Sequence, residues 1–84
     1  MINFKQEQLI NEFMEAITEK FPEVELIEVT ESPEDPADLW LNVTSPKEID
    51  RKIALREFAA EKSTDILSDY GYLFLVMPRN NLAV

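Results

Sequence analysis

The chain has no cysteine, no histidine and a single glycine among its 84 residues. Without cysteine there is no disulfide framework and no thiol nucleophile. Without histidine as well, zinc sites of the Cys/His kind and Ser-His-Asp triads are excluded. One glycine cannot build a Gly-rich phosphate loop. Bases are scarce too: eight Lys and Arg stand against seventeen Asp and Glu, a net charge of −9. That balance argues against electrostatic attachment to nucleic acid or to an anionic membrane. No apolar run approaches the roughly 20 residues that span a bilayer. The opening Met1-Ile2-Asn3-Phe4-Lys5 lacks the basic flank and long apolar core of a secretory signal. A cysteine-free chain of this kind is expected to be soluble and cytoplasmic, a single domain over 1–84 near the lower size limit for folding alone.

Apolar side chains are plentiful, and their spacing organises the chain. Leu9, Ile10, Phe13, Met14, Ile17 and Phe21 recur at three- and four-residue intervals, which predicts a first helix over 5–20 with Asn3 as N-cap. Glu7 falls in or near its first turn, where the helix dipole favours an acid, and Phe21-Pro22 closes it. Residues 23–31 read as a strand of imperfect alternation. Val24 and Leu26 share one parity, Ile27 and Val29 the other, so a bulge near Leu26-Ile27 is expected. Two prolines mark 32–37 as a turn, and 38–44 form a cleaner strand that should pair antiparallel with the first. Leu39, Leu41 and Val43 take its inner face, and Trp40, Asn42 and Thr44 the other.

Ser45-Pro46-Lys47-Glu48 reads as a helix start with Ser45 as its cap. The second helix is expected from Pro46 to about Tyr70, with a break near Ser63-Thr64, and Gly71 as its left-handed C-terminal residue. A third strand over 72–77 stops at Pro78, and 79–84 form a loose tail. The order is α-β-β-α-β: a two-layer α+β sandwich with a three-stranded sheet and two helices. The second and third strands are joined through a helix and should be parallel. Whether the third strand lies beside the first or the second is left open.

That order resembles the second type of KH domain in topology alone. The backbone-clamping Gly-x-x-Gly loop of KH domains has no counterpart here, and the charge has the wrong sign, so RNA binding is not implied. The charge is unevenly placed. Residues 1–35 carry ten acids against Lys5 and Lys20, a net of −8, while 36–84 carry seven acids and six bases, a net of −1. Lys47, Arg51, Lys52, Arg56 and Lys62 all fall in the second helix.

Tyr72-Leu73-Phe74-Leu75-Val76-Met77 is apolar on both parities, and two helices cover only one face of a three-stranded sheet. The second face therefore needs another cover. The expected interface is Trp40, the only tryptophan, with Tyr72, Phe74 and Val76, leaving Leu73, Leu75 and Met77 beneath the helices. A one-residue slip exchanges the two sets. On the second helix, Ile49, Ile53, Ala60 and Leu67 form one apolar row and Leu55, Ala59, Ile66 and Tyr70 another, with Lys52, Arg56 and Ser63 between. Phe58 projects from the far side.

The function expected from these features is non-enzymatic: self-association or protein binding through the outer sheet face, or by pairing of sheet edges. The alternative is an anion or small-molecule groove beside Arg56, with Tyr70 or Tyr72 orienting the ligand. Ser45, Ser63, Ser68 and the tyrosines lack a base to act as nucleophiles. The acidic loop of Glu31, Glu34, Asp35 and Asp38 lacks the glycine and register of a calcium loop, so no metal and no cofactor are expected.

Overall fold

The Asn3 side chain accepts from the Gln6 backbone N–H at 2.7 Å, while the Gln6 side-chain oxygen accepts from the Asn3 N–H at 3.0 Å. This reciprocal capping box starts the first helix. The computed structural model describes residues 3–34 and 38–79. In it α1 runs Phe4–Lys20, followed by β1 (Leu26–Glu31), β2 (Leu39–Thr44), α2 (Ile49–Tyr70) and β3 (Phe74–Arg79). The α-β-β-α-β order and the α+β class are those the sequence predicts. The tail beyond Arg79 lies outside the described residues, as do Asp35 and its neighbours at 36–37.

The sheet order is β1-β2-β3, with β1 antiparallel and β3 parallel to the central β2. The register shifts between Leu26 and Glu28, the expected bulge. It lets Val24, before the shift, and Val29, after it, both pack into the core. Residues 23–25 are not strand, because the Val24 N–H closes a turn onto the Phe21 carbonyl at 3.0 Å.

Ser45 does not cap α2. Its N–H donates to the Arg79 carbonyl at 3.1 Å, which extends the β2–β3 ladder, so the backbone is still committed to the sheet. The helix begins at Ile49 with Glu48 as a cap that makes no side-chain hydrogen bond. It does not break at Ser63-Thr64. The Thr64 hydroxyl donates to the Ala60 carbonyl at 2.9 Å, and the Ser63 hydroxyl leaves the helix for β3. Gly71 ends α2 at φ 76° and donates its N–H to the Leu67 carbonyl at 2.9 Å, the left-handed cap expected of it.

Both helices contribute to one apolar core. Leu9, Ile10, Phe13 and Ile17 of α1, with Phe21 and Val24 after it, meet Leu39, Leu41 and Val43 of β2, Leu55 and Ala59 of α2, and Phe74 of β3. Phe58 belongs here as well, against expectation. Its ring lies 6.0 Å from Phe21, with the Lys20 and Lys62 ammonium groups over it at 4.9 and 5.7 Å, so it fills the seam between the helices.

Each sheet edge is blunted. In the parallel ladder Leu39 donates to the Leu73 carbonyl, and Ser45 to that of Arg79. The backbone groups of odd-numbered β3 residues therefore face β2, and those of Phe74, Val76 and Pro78 face outward. The Phe74 carbonyl is occupied by Ser63, and Pro78 has no N–H to offer. The β1 edge carries the bulge with Glu28 and Glu31 around it. Bulges, edge prolines and edge charges all oppose sheet extension.

Candidate functional site

The helices leave the opposite face of the sheet bare. In the register, Trp40 stands between Thr30 of β1 and Leu75 of β3, and Asn42 between Glu28 and Met77. Leu75 and Met77 are 40% and 38% exposed, and Trp40 is half-buried. Trp40 is thus on the face predicted for it, but its β3 neighbours are not. Phe74 is fully buried, and Tyr72 and Val76 pack against the core. The expected set Tyr72, Phe74 and Val76 lies under the helices, while Leu75 and Met77 lie outside.

The reversal has a physical cause. A strand apolar on both parities carries no polar side to fix its facing, so packing decides. Pairing Leu39 with Phe74 places the larger ring in the core, 6.4 Å from Phe13 and stacked on Tyr72 at 6.3 Å. The Tyr72 hydroxyl then accepts from the Asn3 side chain at 3.4 Å, tying β3 to the start of α1.

Asn42 sits in the middle of the bare face, yet is only 2% exposed. Its amide donates to the Thr30 hydroxyl at 3.2 Å and the Glu28 carbonyl at 3.4 Å. The face is therefore an apolar strip, Trp40 with Leu75 and Met77, beside one polar position locked into β1.

A second surface lies where α2 overhangs the β3 edge. A groove of about 260 Å³ runs between Ala60, Thr64 and Leu67 of α2 on one side and Leu73, just before β3, with Leu75, Val76 and Pro78 of β3 on the other. Leu75, at the strand edge, thus borders the groove as well as the bare face. It ends at Arg56, which also lines a smaller recess of about 200 Å³ with Ser45, Lys52 and Pro78. Arg56 is exposed and makes no ion pair or side-chain hydrogen bond among the described residues. Neither recess reaches the 300 Å³ or more usual for small-molecule sites. Tyr70 and Tyr72 do not line the groove or the recess, so the expected orienting role has no geometry behind it.

Sequence reasoning missed Leu75 and Met77, whose only signal was the two-sided apolarity of β3. It also missed how far the row Ile49, Ile53 and Leu67 stands out of the core, at 70%, 53% and 45% exposed. Among the described residues no group of three acidic or other ligating side chains is placed to hold a metal ion. No helix there is long and apolar enough to cross a membrane. No protein-family model matches the chain, and neither curated proteins nor solved structures give a match.

Proposed function

We propose that this chain is a non-catalytic, protein-binding domain that docks a protein surface, a second copy included, through its bare sheet face. The observation that carries the reading is the placement of both helices on one face, which leaves Trp40, Leu75 and Met77 uncovered on the other. Tryptophan and methionine are enriched at such contacts, since they bury large areas and adapt to a partner's shape. The cytoplasm is the setting in which we place it.

The test is site-specific photo-cross-linking in the cell that makes the protein. A photoreactive residue at position 75 or 77 should give a discrete protein adduct, lost on Trp40→Glu. The same group at Glu12, on the exposed side of α1, should give none. Absence of any adduct from both sheet positions would overturn the reading.

The second reading, an anion-binding accessory role, rests on Arg56 standing unpaired between two recesses with Lys52 beside it. It requires that phosphate, nucleotides or small carboxylates raise the melting temperature, and that Arg56→Ala abolish the rise.

A further inference from the structure

The outward side of α2 is built to meet its own copy. Leu55, Ala59 and Ser63 turn toward the sheet, and Phe58 and Arg51 turn toward α1, where Arg51 meets Glu23 and the Phe21 ring. On the side turned from α1, beyond the β3 edge, lies a row of Ile49, Ile53, Ala60 and Leu67, all exposed and spaced at the four- and seven-residue intervals of one helix face, with Ala60 and Leu67 also bordering the groove beside β3. Ala60, the smallest of the four, sits mid-helix, where close approach of a second backbone is easiest.

The flanks of this row carry opposite charge. At 100° per residue Glu57 and Glu61, with Asp50, fall along one side, and Lys52 and Arg56 along the other, the side toward β3. We infer that α2 pairs in parallel with α2 of a second copy, forming a homodimer along this row. Parallel packing sets the basic flank of each helix against the acidic flank of the other. Lys52 then meets the partner's Glu57, the pair being repeated by the two-fold axis, while Arg56, only about 20° from Ile49 and Leu67 on the helix wheel, lies at the margin of the seam. Ile49, Ile53, Ala60 and Leu67 face their own counterparts across the axis.

The antiparallel alternative fails on two counts. It sets acidic flank on acidic flank, where like charges repel. It also brings two β3 edges together, and these are the edges blunted by Ser63 and Pro78. The parallel two-fold instead carries the two sheets to opposite sides of the helix pair. Each dimer then presents two bare sheet faces, pointing away from one another.

The experiment is solution mass by light scattering from micromolar to millimolar concentration, on folded wild type, Trp40→Glu and three variants of the charges beside the row. Wild type and Trp40→Glu should both form dimers, which separates this contact from the sheet face. Lys52→Glu with Arg56→Glu, and Glu57→Lys with Glu61→Lys, should each weaken dimerisation at least tenfold. The chain carrying all four changes should dimerise again, a rescue that only the parallel arrangement gives. Because the chain has no cysteine, Leu67→Cys reports orientation directly: oxidation should link two copies through position 67. A wild type monomeric at millimolar concentration, charge variants that dimerise normally, or a four-fold variant that stays monomeric would each overturn the inference.

Discussion

The Ser63 hydroxyl donates to the carbonyl oxygen of Phe74 at 2.5 Å, a buried bond from the middle of α2 to the open edge of β3. It satisfies a strand carbonyl that no neighbouring strand reaches, and it pins the helix over the sheet. Ser63→Ala leaves that carbonyl unpaired in a site that is only 6% exposed at the serine. The expected cost is about 1–3 kcal/mol of unfolding free energy, read by urea denaturation. Thr64→Ala, next in sequence with an exposed hydroxyl, is the control and should change stability by less than about 0.5 kcal/mol.

The facing of β3 makes a sharper prediction, because the two parities differ in what they touch. Phe74→Ala removes a ring packed on Phe13 and Tyr72, and should cost about 3–5 kcal/mol. Leu75→Ala removes a side chain that is 40% exposed on the bare face, so its cost should be well below that. Equal losses, or the reverse order, would mean that the strand faces the other way.

That reversal shows where the sequence stops being readable. Several elements were legible from a local signal: the Asn3 cap, the Gly71 terminus, the bulge demanded by Val24 and Val29. The parallel direction of β3 relative to β2 followed from connectivity, but its place beside β2 rather than β1 did not. What depends on comparing two packings was not legible, because Tyr72, Phe74 and Val76 are no more apolar than Leu73, Leu75 and Met77. Ser45-Pro46 misled for a related reason. It satisfies every local rule for a helix start, yet a ladder bond to Arg79, 34 residues away, holds it in the sheet. The bare face itself was predicted, from Trp40 and from the arithmetic of two helices on one sheet, and only its β3 members were exchanged.

Arg51 and Glu23 join the start of α2 to the turn after α1. The guanidinium pairs with both carboxylate oxygens, and the Nη2–Oε1 bond measures 2.9 Å. The hydrogen bond from Arg51 holds the Glu23 carboxyl below the ordinary glutamate range. A depressed folded pKa contributes stability that is complete above the unfolded value and is lost as pH falls through the folded one. The melting temperature of the wild type should therefore drop more steeply on acidification than that of Glu23→Gln, and the two curves should converge in acid. The pair is exposed, so the gap at neutral pH should be small and should shrink with added salt.

Asn42→Asp should show the opposite dependence on pH. The substitution is nearly isosteric, but it replaces an amide that donates to the Glu28 carbonyl and the Thr30 hydroxyl with a carboxylate facing an acceptor. It also places a charge at a position only 2% exposed, opposite Glu28 in the register, in a chain of net charge −9. Burial and the missing donor both disfavour the ionised form, so the folded pKa of the new acid lies above its unfolded value. Its deficit relative to wild type is then fully present above the folded pKa, on the order of 1–3 kcal/mol, and shrinks as pH falls through it. Denaturation curves of the two proteins across the acid range should approach each other downward in pH. A gap that stayed constant or widened toward acid would place Asn42 in a wetter environment than the centre of the bare face, and would remove the polar lock from that surface.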